Sequence, residues 1–320
     1  MNGLTYFVEL GAAGVLSLFV EEEGLLDGLS RSGASIAMAM LDLSTERASA
    51  IRLLNQRGVD VSAWLILDAA EGYWFTADNV EVAAARYREV RSYFEHEGLA
   101  IKTIGLDVEA PHEDARALVS RGSSALRQLF IRRRSPGAIH RAIEQYAALI
   151  GEIRRDGFTV ETYQFPLIAD ERRARSTLLQ RVFGIVDMLP DREVMMLYRS
   201  LLPHPIGAAM VDAYGKDADA IAVGITGGGV DFVDDVLDQR RLTYDELLFD
   251  LRRAARYTDE LYVFSLEGCV KAGYFERLCD ADLARPTRAA ALAAFAPALR
   301  ALLRRLLRAE RLLDRVVPSR

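Results

Sequence analysis

Residues 104–114 read "IGLDVEAPHED", and the first half of that stretch is a strand pattern. Strand side chains alternate faces, so Leu106 and Val108 share one face while Asp107 and Glu109 share the other. Two acids therefore close an apolar strand and point into one space. His112, which follows Pro111 directly after this strand, lies near the same space or, with "HED", caps the next helix. Residues 101–114 thus read as the junction of a strand with the helix that follows it.

The same unit recurs along the chain. Strand candidates are 5–10, 35–43, 61–68, 101–109, 158–165, 193–200, 220–226 and 260–267, eight in all. Helical patterns at 44–57, 79–97, 137–155 and 171–183 lie between them, several followed by a glycine (Gly58, Gly98, Gly157, Gly184) where helices commonly stop. Alternation of this kind requires parallel strands joined by helical crossovers. Eight units in 320 residues favour an α/β chain folded as one (β/α)8 TIM barrel over a doubly wound sheet. A nucleotide-binding sheet would also want a glycine-rich turn after an early strand, and "LGAAGVL" at 10–16 imitates one only weakly. "GIVDML" (184–189) is an alternative strand, and 112–136 reads as a segment inserted between the fourth strand and its main helix.

Composition narrows the class. Half the residues are hydrophobic, about a quarter are charged and the net charge is -6, which describes a folded chain with no excess of cations for nucleic acid. The two cysteines, Cys269 and Cys279, show neither a zinc spacing nor a disulfide framework, and a reducing compartment suits them. The apolar opening is interrupted at Glu9 and has no Lys or Arg before it, unlike a secretory signal. A cytoplasmic protein is the expectation.

In a barrel of this kind the site lies at the carboxyl ends of the strands. Those ends carry Glu9, Asp42, Asp68, Asp107 with Glu109, Glu161 with Tyr163, Tyr198 with Arg199, Thr226 and Glu267. The alternation places Asp107, Glu109, Glu161 and Glu267 inward; in "YVFSLE", Val263, Ser265 and Glu267 take the inward side and Tyr262 and Phe264 the helix side. Carboxylates crowded in a partly dry mouth titrate apart, one staying protonated while another stays charged. Cleavage of a glycosidic bond needs that division of roles. Glu109 is the candidate acid, Asp107 its orienting or charge-stabilising partner and Glu267 the nucleophile or base. Glu161, Tyr163, Tyr198, Glu9 and Asp68 are candidate substrate contacts. The bland alternative is that such acids cap helices or pair with arginines.

"DAAEGYWFTADN" (68–79) follows the third strand. Tyr73 and Trp74, with Phe75 beside them, could offer flat faces to sugar rings or could plug the barrel. The substrate expected is a small-molecule saccharide or a glycoconjugate, with no cofactor and no metal.

On these residues the chain resembles the chitinase-like glycoside hydrolases of family 18. That family ends its fourth strand in D-x-E, with the Glu as proton donor, and "GLDVE" has Asp107 and Glu109 in those places. Its sixth-strand M-x-Y resembles Met196 to Tyr198. The resemblance implies a TIM-barrel glycosidase, yet Thr103 and Gly105 stand where the family has further acids, Arg199 stands where it has aspartate, and Glu267 lies where it has a tryptophan.

Two other readings compete. Glu109, His112, Glu161 and Glu267 could bind a divalent ion in an isomerase or phosphodiesterase type of barrel. A non-catalytic barrel is the third, with "GITGGGVDF" (224–232) as an anion loop. His96 and His140 fall on helices and His204 in a loop without an assigned place. At the C terminus, 298–315 forms an amphipathic pattern with Leu299, Leu302, Leu303 and Leu306 against Arg300, Arg304, Arg305 and Arg308. Such a helix packs on the barrel wall, forms a dimer contact or adheres to an anionic membrane surface.

Overall fold

Eight parallel strands close into one barrel in the computed structural model, each strand pairing with its neighbours in sequence and the last with the first. The structure describes residues 3–201, 206–228, 241–288 and 293–316. The strands are β1 (Thr5–Val8), β2 (Ser35–Ala39), β3 (Val61–Leu65), β4 (Thr103–Val108), β5 (Thr159–Gln164), β6 (Arg192–Met196), β7 (Ala220–Gly224) and β8 (Leu261–Phe264). Every expected strand is present and every one stops short of its expected end. The ladder ends before the trimmed residues at the barrel rim, although single bonds still reach the next strand there, from Met40 N–H to the Trp64 carbonyl, from Leu197 N–H to that of Ala222 and from Thr226 N–H to that of Phe264.

The alternation of each strand separates two apolar regions. Phe7, Trp64, Tyr163, Met196, Tyr262 and Phe264 fill the barrel, while Val8, Ile36, Ile104, Leu106, Val108 and Val263 face the surrounding helices. Aromatic edges pack inside, with Phe7 against Tyr163 at 4.9 Å and against Trp64 at 5.3 Å between ring centres. This corrects the reading of the last strand: Tyr262 and Phe264 point inward and Val263 outward. Bulky aromatics suit a barrel interior as well as a helix interface, so apolar character alone could not assign the face.

Other expectations also change. "GIVDML" forms no strand, and 171–183 is two helices, Leu167–Ala174 and Leu178–Phe183. The segment between β4 and its main helix, Pro136–Arg155, folds as the helices His112–Arg121 and Ser123–Ile131. "LGAAGVL" leads into the helix Ala12–Glu21. The terminal helix, Ala296–Val316, lies against Leu167–Ala174. No helix among the described residues is long and apolar enough to cross a membrane.

Candidate active site

β4 sets the centre of the site. Its inward residues are Gly105 and Asp107, and a Cβ added at Gly105 would overlap the Tyr163 hydroxyl of the neighbouring strand. Glycine there lets that ring pass beneath the mouth, at a position where the family resemblance would put another acid. Asp107 is 2% exposed. The Trp64 indole N–H donates to its Oδ2 at 3.1 Å, whereas Oδ1 has no hydrogen-bond partner among the described residues.

The chain after β3 then returns to extend β4. Phe75 N–H donates to the Asp107 carbonyl at 2.9 Å, and Glu109 N–H donates to the Phe75 carbonyl at 3.3 Å. This short bridge, centred on Phe75 and Val108, fixes the backbone that carries Glu109 just beyond the last barrel residue. Phe75 itself is fully buried and stacks on Tyr146. The same stretch therefore supplies a plug at Phe75 and mouth residues at Tyr73 and Trp74. Tyr73, at a positive φ of 64°, turns its ring inward and donates its hydroxyl proton to Glu9. Trp74 stays half-buried, edge-on to Tyr73 and to His112.

Glu9 follows β1 and is buried. Its backbone N–H donates to Oε1 of Glu267 at 3.2 Å, which joins the two ends of the barrel seam at the mouth. Glu267 comes from the first turn of the helix Leu266–Lys271, capped by Ser265, and not from the strand as expected. Helix geometry replaces the alternation after Phe264, and it delivers Glu267 beside Glu9.

The acids sense one another. Burial pushes Glu9 up to about 8, opposed by the Tyr73 hydrogen bond and reinforced by the charges of Glu267 and Glu109. Burial raises Glu109 to about 8 as well. Asp107 is raised first by burial and then by the charges of Glu109 and Glu9, against the stabilising N–H of Trp64. Tyr198 is raised by burial and then by Asp107, Glu109 and Glu9, which sets its hydroxyl among the same acids. Glu9, Tyr73, Asp107, Glu109, Tyr198 and Glu267 thus share one mouth.

Three of the expected contacts, Glu161, Tyr163 and Asp68, lie elsewhere, as do two other strand-end residues, Asp42 and Arg199. Glu161 sits level with Gly105 and Arg192, one layer below Asp107. It accepts from Arg192 at 2.9 Å and from the Tyr262 hydroxyl at 2.9 Å, so it neutralises the barrel floor. Tyr163 is 1% exposed and packs within the barrel. Asp68 is exposed and opens a short turn, Ala69–Glu71. Asp42 pairs with buried Arg47 at 2.7 Å. Arg199, where the resemblance expects an acid, is bound to Asp250 at 2.5 Å.

Of the divalent-ion set, Glu161 is on Arg192 and His112 opens its helix against Trp74, and no group of three or more His, Cys, Asp or Glu side chains placed to hold a metal ion is found among the described residues. Of the glycine loop, Gly227 lies against Ser265, whose hydroxyl donates to its carbonyl at 2.5 Å. Residues 229–232 and His204 lie outside the described residues. Trp64 is the member of the site that the sequence reading missed. The available signal was its inward parity on the strand adjacent to Asp107, since a buried indole N–H seeks an acceptor.

No family model and no curated protein matches the chain. Among solved structures, the chain is similar to the PgaB (BpsB) glycoside hydrolase domain from Bordetella bronchiseptica at 10% identity and a TM-score of 0.51, over 88% of this chain and 98% of that one. A GH18 chitinase from Pseudoalteromonas aurantia aligns at 8% identity and 0.48, covering 87% and 98%. D-allulose 3-epimerase from Methylomonas sp. aligns at 14% and 0.44, covering 82% and 84%. The first of these likenesses shows the TIM-barrel fold.

Proposed function

We propose that the protein is a glycoside hydrolase acting on a saccharide or glycoconjugate through carboxyl general acid catalysis. The observation that carries this reading is the pair Asp107 and Glu109 on one inward face, in surroundings that raise both. Glu109 holds a proton at neutral pH and gives it to the glycosidic oxygen as the C–O bond breaks. Asp107, held by Trp64, orients Glu109 or, in its ionised form, supports the positive charge that develops at the anomeric carbon. Glu267, placed by the Glu9 backbone, serves as nucleophile or as base toward water. Tyr198 and Tyr73 offer hydroxyls to the sugar, and half-buried Trp74 offers a face on which a pyranose ring stacks.

The reading is tested by following reducing-end release from a panel of oligosaccharides and glycoconjugates by the purified chain. Hydrolysis that is lost in Glu109→Gln and unaffected by a chelator supports it. Turnover that requires a divalent ion, or conversion of a free ketose or aldose without bond cleavage, replaces it with the isomerase type of barrel.

A further inference from the structure

The two helices inserted between β4 and Pro136–Arg155 carry charge opposite to that of the chain. Residues 112–134 hold six arginines against two acids, a net charge of +4 in a chain whose net charge is -6. They join the carboxyl end of β4 to the helix outside the barrel, so they stand on the mouth side, and His112 at their start lies edge-on to Trp74. Ser123–Ile131 buries Ala125 and Leu129 and packs on His112–Arg121 and on Leu178–Phe183. Two arginines hold the segment down, Arg132 on Asp114 at 3.2 Å and Arg134 on Asp78. Arg116, Arg121 and Arg127 are exposed, and none of them has an ion pair among the described residues.

The outward face of Ser123–Ile131 is apolar as well as cationic. Leu126, Phe130 and Ile131 are 45%, 44% and 67% exposed. Arg127 stands one turn from both Phe130 and Ile131, and the Arg133 guanidinium lies 4.7 Å over the Phe130 ring. An interface with a folded protein is depleted of charge at its apolar centre, whereas here the cations are set among the apolar side chains. A bilayer surface accepts that mixture, because the apolar groups enter the acyl boundary while the long arginines reach the lipid phosphates. The sign of the segment selects an anionic bilayer. The terminal helix suits such a surface less, since its Arg300 and Arg304 are turned onto Asp170.

We propose that residues 112–134 dock the barrel on an anionic membrane surface with the mouth side toward the lipid. The docking is independent of the hydrolase reading and is measured without turnover. The full chain is sedimented with vesicles of phosphatidylcholine or of phosphatidylcholine mixed with phosphatidylserine. Wild type should bind the anionic vesicles, bind phosphatidylcholine at least about tenfold more weakly and lose affinity as salt rises. Arg121→Glu/Arg127→Glu should weaken binding at least about twentyfold, since each arginine near such a surface contributes about fivefold. Phe130→Ser/Ile131→Ser should weaken it at least about tenfold, and both variants should keep the wild-type melting temperature. Leu302→Glu/Leu306→Glu on the terminal helix should bind as wild type does. Wild type that stays in the supernatant, equal binding to the two kinds of vesicle, binding that survives either variant of the inserted helices, or loss in the terminal-helix variant overturns the proposal.

Discussion

Trp64 and Asp107 stand on adjacent strands, and the indole N–H of the first donates to Oδ2 of the second at 3.1 Å inside the barrel. That bond favours the charged carboxylate in a place where burial opposes it. Trp64→Phe keeps most of the ring packing and removes the donor. Hydrogen bonds to charged groups are worth roughly 1.5–3 kcal/mol, so the acid limb of the kcat/KM profile should move up by about one pH unit or more. A limb that stays in place means that ionisation of Asp107 does not govern it.

Glu9 makes the stability of the fold depend on pH. Its pKa is raised from an ordinary carboxylate value to about 8, so the folded chain holds a proton there that the unfolded chain releases. This contribution is fully present below the unfolded pKa, declines as pH rises, and is gone above about 8. The melting temperature should fall between about pH 5 and 8, and Glu9→Gln should flatten that fall and stabilise the chain at pH 8.5 by about 1–3 kcal/mol. Tyr73→Phe removes the donor that favours the charged form and should steepen the fall.

Tyr73, Trp74 and Phe75 are adjacent in sequence and separate in role, which thermal unfolding and sugar binding can resolve. Phe75→Ala should cost about 3–5 kcal/mol of stability, as for a buried core aromatic. Trp74→Ala should change stability little and weaken saccharide binding by about 1–2 kcal/mol. Equal stability losses at both positions would remove Trp74 from the binding face.

These roles show what the sequence could and could not convey. β4 was readable because six residues keep strict alternation, so the inward parity of Asp107 held, and the bridge to Phe75 carried it on to Glu109. β8 was misread because its inward residues are as apolar as its outward ones, and Glu267 belongs to the helix that begins two residues after the strand. Depth was invisible for Glu161: its parity was right, yet its level is set by register with Arg192, which only the assembled sheet defines. At the terminal helix, Arg300 and Arg304 turn inward because Asp170 waits beneath them, a pairing across 130 or more residues that no local pattern records.

The central claim is that Glu109 donates the proton to the leaving oxygen, and the most direct measurement compares two leaving groups in Glu109→Gln. The variant keeps the shape of the side chain and lacks the proton. Turnover of a natural glycoside should fall at least about a hundredfold while binding persists, and turnover of a glycoside with an activated aryl leaving group should fall far less. Equal losses on both substrates, or an activity restored by a divalent ion, would contradict the account.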